Sequence, residues 1–298
     1  MKNSEHLVEL YHSWMDRMAA NPDKGIEDLR DLFEGWHQAT LEPERVSYRS
    51  EMVGDVPSIR VLPEGASPER MMLYTHGGGF AVGSAASHRK LAGHLAQALG
   101  VAAVVVDYRR APEHPFPAQL EDTTAVYTKL LEQGYASKDI VICGDSAGGN
   151  HTIATALKLR NNGSPLPGAV VALSPWLDME HIGKTLDSNK DRDILISREI
   201  LQGMSEMFLG QAGSPDNPLC NPLKADFSNF PHLYINAGSS EALLDNAQKL
   251  KSVAEESGVD VSLSIVNDMQ HVFPMMAGRS DEADNEIARI ATWFKANS

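Results

Sequence analysis

Ser146 lies in Gly144-Asp145-Ser146-Ala147-Gly148, a G-x-S-x-G pattern whose flanks give it meaning. Ahead of it runs a short apolar stretch, Ile140 to Cys143, of the kind that forms a buried strand. Behind it, Ile153, Ala154, Ala156, Leu157 and Leu159 recur at helical spacing. A strand, a tight turn and a helix in that order hold a serine in strained backbone geometry and push its hydroxyl out above the sheet. Glycines two residues to either side carry no Cβ to collide with the neighbouring strand and helix. The helix N-terminus beneath the serine adds N–H donors and a positive dipole end, both suited to a developing oxyanion. The chemistry this spacing predicts is nucleophilic attack by Ser146.

A serine nucleophile needs a base, and the base needs a group to orient it. The chain has eleven histidines, so position must choose among them. Where the nucleophile sits at such an elbow, the chain order is serine, acid, histidine. His151 lies on the elbow helix and turns away from the serine. His181 falls in an irregular stretch, and His232 starts a strand at the wrong end of the sheet. His271 follows the last strand, in a loop at its carboxyl end, and is the expected base. The acid is expected just past the preceding strand, where Glu241 and Asp245 stand one helical turn apart. Glu241, nearer the strand end, is the choice for orienting His271. Asp245 more naturally braces the helix, and Asp268 is a third option.

Oxyanion donors in this mechanism come from the residue after the nucleophile, Ala147, and from the loop after the third strand. The sequence there is His76-Gly77-Gly78-Gly79-Phe80, whose glycines let backbone amides approach a substrate. It lacks the lysine of a phosphate-binding P-loop and does not match G-x-G-x-x-G. His76 is expected to tether the loop.

Positioning these groups requires a sheet, and apolar runs supply its strands. They are Val46 to Val53, Ser58 to Leu62, Met71 to Thr75, Val101 to Asp107, Ile140 to Cys143, Ala169 to Leu173, His232 to Asn236 and Val261 to Val266. Gly54-Asp55 joins the first two as a hairpin, an antiparallel edge. From residue 71 onward, strands alternate with helices at about 88–99, 120–131, 147–160, 242–256 and 282–296. That rhythm predicts a mostly parallel eight-stranded sheet with helices on both faces. The prolines between Tyr108 and Pro117 exclude helix and strand interior there. Residues 178–230 break the rhythm, with one amphipathic helix near 197–209, and read as an insertion over the carboxyl ends of the strands. Two amphipathic helices precede the sheet. One carries Leu7, Leu10, Tyr11, Trp14, Met15 and Met18 and ends at Asn21-Pro22; the other carries Ile26, Leu29, Leu32, Phe33 and Trp36. Their apolar faces either simply pack or also line a substrate pocket.

Composition narrows the function classes. The chain of 298 residues is long enough for a full core, and 42% hydrophobic with 22% charged residues is ordinary for a globular protein. A formal net charge of -14 argues against nucleic acid and anionic membrane surfaces as partners. Two cysteines, Cys143 and Cys220, are too few for a disulfide framework and read as free thiols in a reducing compartment. The first twenty residues hold no uninterrupted apolar segment, and the longest apolar run, Val101 to Val106, is far too short to span a bilayer. The expected location is cytoplasmic.

Four motifs together resemble the bacterial hormone-sensitive-lipase-like esterases of the α/β-hydrolase superfamily. They are His76 to Phe80, Asp107 to Ala118, Gly144 to Asn150 and His271-Val272-Phe273. The resemblance implies an α/β-hydrolase fold with a helical cap, and a triad at Ser146, Glu241 and His271. It also implies oxyanion donors at Gly78, Gly79 and Ala147. Many members carry an Asp-Pro-Leu-x-Asp acid motif, which here reads Glu241-Ala242-Leu243-Leu244-Asp245; glutamate at that place also occurs among them. The cap it implies suits residues 1–42 and about 178–225, leaving 43–298 as the catalytic domain. The expected function is a serine carboxylesterase acting on short- to medium-chain esters, with no metal or cofactor. A lactone hydrolase would use the same residues, and a receptor on this fold would have lost part of the triad. Trp176 is expected either to wall the acyl pocket or to pack in the core. A homodimer through the edge Val261 to Val266 is the expected assembly.

Overall fold

A computed structural model describes residues 5–21 and 25–297; the Pro22 stop predicted for the first helix lies outside them. The strands form at Val46–Val53 (β1), Val56–Pro63 (β2), Ser67–Thr75 (β3), Val101–Val106 (β4), Ile140–Asp145 (β5), Ala169–Leu173 (β6), His232–Gly238 (β7) and Val261–Val266 (β8). They make one eight-stranded sheet in the order β1-β2-β4-β3-β5-β6-β7-β8. The β1–β2 hairpin turns over Gly54 and Asp55, both at positive φ (58° and 61°), as a two-residue turn demands. β2 pairs antiparallel with β1 and β4, while the other pairs are parallel. So β2 alone runs against the sheet; β1 points with the parallel set.

The helices are Glu5–Ala19 (α1), Ile26–Phe33 (α2), Ala85–Leu99 (α3), Ala118–Glu132 (α4), Ala147–Asn161 (α5), Thr185–Ser188 (α6), Arg198–Leu209 (α7), Leu244–Glu256 (α8) and Asp281–Asn297 (α9), of which α3 and α9 cover one face of the sheet and α4, α5 and α8 the other. Alternation along each strand divides the core between the faces. Met72 and Tyr74 of β3 join Leu91 and Leu95 of α3 and Ile290 and Phe294 of α9, whereas Met71 and Leu73 join Val126 and Leu130 of α4. β4 and β5 are buried on both sides, which is why they read as unbroken apolar runs.

The two segments outside the strand–helix rhythm both reach the carboxyl end of the sheet. α1 buries Leu7, Tyr11 and Trp14, and the Trp14 ring sits 4.8 Å from Phe33 and 5.5 Å from Trp36. In the stretch after β6 the sequence pointed to one helix; the short α6 precedes it. α7 buries Leu201, Ser205 and Phe208. Phe208 stacks on Phe80 of the glycine loop at 3.7 Å, and its carbonyl accepts the Phe116 N–H at 2.7 Å. Burying a ring of that size contributes about 1.5–3 kcal/mol, enough to hold α7 over the loop.

Candidate active site

Ser146 follows β5 with φ 54° and ψ -120°, an uncommon region for a residue with a side chain. Holding such a conformation costs on the order of 1–3 kcal/mol, which the surrounding packing must offset. Its N–H donates to the Leu173 carbonyl at 2.8 Å. The flanking glycines are required by β3: a Cβ on Gly148 would lie 2.1 Å from the Thr75 carbonyl oxygen, and one on Gly144 would lie 2.4 Å from Thr75 Oγ1. The predicted elbow is therefore present, with Ser146 at its apex.

His271 comes to that apex from the loop after β8. Its Nε2 is 2.9 Å from Ser146 Oγ, and its Nδ1 is 3.1 Å from Glu241 Oε2. All three residues are nearly or wholly buried. The other acids go elsewhere. Asp245 accepts from Thr185 N–H and from Asn246 Nδ2, bracing the start of α8 as expected. Asp268 is exposed and pairs with Arg192 at 3.4 Å. Of the other histidines considered, His151 packs beneath Phe80 and Tyr108, His181 stacks on Trp176, and His232 opens β7 at the far end.

Two residues that the sequence reading passed over complete the acid's setting. Ser174 Oγ donates to Glu241 Oε1 at 2.7 Å and accepts the Val272 N–H at 3.1 Å, so one hydroxyl bridges the acid and the histidine loop. The Gly238 N–H donates to the same Glu241 oxygen. Asp193 accepts the Ala242 N–H at 2.7 Å on one oxygen and the Leu195 and Ile196 N–H groups on the other. It ties the segment after β6 to the peptide following Glu241. Ser174 stood beside Trp176, the residue chosen there, and Asp193 lay in the insertion of residues 178–230, which had no strand–helix rhythm to place it.

Burial disfavours the His271 imidazolium, but the hydrogen bond and charge of Glu241, followed by the charges of Asp193 and Asp145, outweigh it and raise the histidine's pKa. Burial likewise pushes the Glu241 carboxyl up, opposed by His271, Gly238 and Ser174. Three donors to the acid favour its carboxylate, so the direction that governs the pair is the raised histidine. The arrangement can take a proton from Ser146 and hold it.

The glycine loop faces the same point. Gly78 (φ 110°) and Gly79 (φ 59°) both lie in the left-handed half of backbone space, and a Cβ on Gly78 would sit 2.1 Å from the Val82 carbonyl oxygen. Among the described residues, neither the Gly78 nor the Gly79 amide has an acceptor within the protein. Asp145 secures the loop from the elbow side: Oδ1 accepts the Gly77 N–H at 3.1 Å and the Tyr74 hydroxyl at 2.7 Å, and Oδ2 faces His88 Nε2 at 3.4 Å. Burial acts to raise this carboxyl, yet His88 and the Tyr74 hydroxyl overcome it and hold the pKa low. His76 stacks flat on Tyr108 at 4.1 Å, and burial drives its pKa well down. That suits the predicted tether, since a neutral ring costs less to bury.

Between the glycine loop, the Ser146–His271 pair and α7 lies a narrow cavity of about 40 Å³, bounded also by Trp36, Trp176, Leu201 and Met204. Its walls are apolar. Trp176 is 1% exposed yet lines this space, so it is core and pocket wall together. Phe33 and Trp36 bring the N-terminal helices into the wall as well.

Residues 72–275 match the family model described as alpha/beta hydrolase fold. The chain belongs to this family. Within the α/β hydrolases it is 38% identical to an acetyl-hydrolase of Streptomyces hygroscopicus, over 85% of this chain and 90% of that protein. It is 34% identical to an esterase of Acinetobacter venetianus, over 76% of this chain and 75% of that one. Among solved structures, an esterase from the bacterial hormone-sensitive lipase family superposes with a TM-score of 0.93 at 37% identity, covering 100% of this chain and 99% of that one. A hormone-sensitive lipase from a metagenome library superposes with a TM-score of 0.90 at 36% identity, covering 100% of both chains. The hormone-sensitive-lipase-like resemblance and the α/β-hydrolase fold expected from the motifs both hold. Among the described residues no group of three or more His, Cys, Asp or Glu side chains is placed to hold a metal ion, and no helix is long and apolar enough to cross a membrane.

Proposed function

We infer that this α/β hydrolase, a carboxylic ester hydrolase, works through an acyl-enzyme formed on Ser146. Ser146 Oγ attacks the ester carbonyl as His271 Nε2 takes its proton, and Glu241 stabilises the imidazolium. The amides of Gly78, Gly79 and Ala147 receive the tetrahedral oxyanion. His271 then protonates the leaving alkoxide and afterwards activates the water that releases the acid. The observation carrying this reading is the relay of 2.9 Å and 3.1 Å contacts from Ser146 through His271 to Glu241.

The substrates are esters with a short to medium acyl chain, a reading supported by the apolar lining beside Ser146. The relatives named acetyl-hydrolase and esterase favour linear esters over lactones. Residues 1–42 and about 178–225 act as a cap over the catalytic domain of residues 43–298, supplying Phe33, Trp36, Leu201 and Met204 to the pocket wall; residues 1–4 and 22–24 of it lie outside the described residues. Trp176 contacts the bound ester. A homodimer forms by pairing β8 edges, a reading supported by β8 being the last strand of the sheet and by the partial exposure of Ile265. A cytoplasmic location suits the free, buried thiols of Cys143 and Cys220. Hydrolysis of aryl esters of graded acyl length, with the parent chain and Ser146→Ala, tests the mechanism. Turnover lost with the serine is the expected result; equal turnover in the variant would sink the reading.

A further inference from the structure

The N-terminal segment reaches the histidine loop through a series of hydrogen bonds. Tyr11 Oη donates to the His271 carbonyl at 2.8 Å, across 260 residues of sequence. Thr40 Oγ1 donates to the Met275 carbonyl at 2.6 Å, and the Leu41 N–H to the Ala277 carbonyl at 3.1 Å. Arg279 returns a bond to the Gln38 carbonyl at 3.3 Å. The first of these differs from the others, because the carbonyl belongs to the candidate base itself.

A hydroxyl has one proton to give, and Trp36 decides where this one goes. Trp36 Nε1 donates to Tyr11 Oη at 3.4 Å, occupying a lone pair and leaving the Tyr11 proton for His271. Both side chains are buried. Burial pushes the Tyr11 hydroxyl far above its ordinary pKa, so it stays a donor. The receiving peptide needs to be held. Val272 has φ 54° and ψ 41°, a left-handed conformation that is an outlier for a β-branched residue. The peptide joining His271 to Val272 is gripped on both of its polar groups: Tyr11 holds the C=O, and Ser174 Oγ accepts the N–H at 3.1 Å.

We propose that Tyr11 is a positioning residue for the reaction: by holding the carbonyl half of the His271–Val272 peptide, it keeps the imidazole at hydrogen-bond distance from Ser146. The first helix thus belongs to the catalytic apparatus as well as to the pocket wall. The inference rests on His271 being the base.

The test uses the full chain and three variants, with kcat and KM measured on an aryl acetate and active sites counted with a serine-directed phosphonate. Tyr11→Phe keeps the ring and removes only the donor. Its kcat per titrated site is expected to fall about tenfold with KM within about twofold, since small misplacements of a catalytic group are costly. Thr40→Val cuts a neighbouring bond of the same seam that does not touch His271, and should lower the melting temperature while leaving kcat alone. A purely structural role for Tyr11 predicts a lower melting temperature with normal kcat per site, and that result overturns the proposal. So does a loss of kcat in Thr40→Val equal to that in Tyr11→Phe. His271→Ala separates the two readings: if it keeps turnover, the base assignment itself fails; if it is inactive while Tyr11→Phe is normal, only the positioning role fails. Should Tyr11→Phe not fold, a crystal structure of the unaltered enzyme carrying the phosphonate on Ser146 decides. Tyr11 Oη within hydrogen-bond distance of the His271 carbonyl supports the proposal, and a separation beyond that distance refutes it.

Discussion

Replacing Glu241 by glutamine exchanges one carboxylate oxygen for an NH2 group and should nearly abolish turnover. The side chain is wholly buried, and glutamine has its shape and volume. Glu241 Oε1 accepts from Ser174 Oγ and from the Gly238 N–H, so the amide oxygen of the variant must stay there to satisfy both donors. That turns the amide nitrogen toward His271 Nδ1, which the carboxylate oxygen contacts at 3.1 Å in the parent. An N–H facing Nδ1 forces the ring proton onto Nε2, the nitrogen that must accept from Ser146. Geometry survives and the base is lost. The equivalent acid-to-amide change in a Ser-His-Asp protease lowers kcat by about 10,000-fold, or about 5 kcal/mol on the barrier. The assay is hydrolysis of a short aryl ester, normalised to phosphonate-titrated sites and accompanied by a thermal melt. The melt should change little. A kcat loss of less than about tenfold would refute the reasoning, because a wrong tautomer cannot act as the base. So would an equal loss in Asp245→Asn, whose carboxylate serves Thr185 and Asn246.

Three further outcomes are expected. Met204→Ala should enlarge the cavity, since a Cβ built on Gly79 lies only 2.8 Å from Met204 Cγ and Sδ; kcat/KM across acyl lengths should shift toward longer chains, and an unchanged profile would contradict the pocket assignment. Because the raised pKa of His271 favours its protonated form and the reaction needs the neutral ring, kcat/KM should fall with decreasing pH, with a midpoint above histidine's ordinary 6.5. A midpoint at or below that value would count against the Glu241–His271 coupling. Asp193→Asn cannot accept at both ends, so either the Ala242 N–H or the Leu195 and Ile196 pair is orphaned; urea unfolding should report a loss of about 1–3 kcal/mol, and an unchanged midpoint would show that this brace carries no weight.

What could be read from the sequence alone was whatever is encoded over short distances. Apolar runs and helical spacing located the strands and helices to within a few residues, because side-chain periodicity and turn chemistry act between near neighbours. The elbow around Ser146 was legible for the same reason. His271 followed from it by chain order, since a loop after the last strand must emerge at the sheet's carboxyl end. Glu241 and Asp245 were harder: one helical turn apart, they differ in what faces them, and only the fold brings His271 to one and Thr185 to the other. The strand order and the lone reversed strand β2 were likewise hidden, because pairing partners are chosen by burial across the whole chain. Ser174, Asp193 and Tyr11 gave no local signal. Each acts through contacts with residues between 49 and 260 positions away. Tertiary packing alone makes a serine, an aspartate and a tyrosine at such separations into the frame that holds Glu241 and His271.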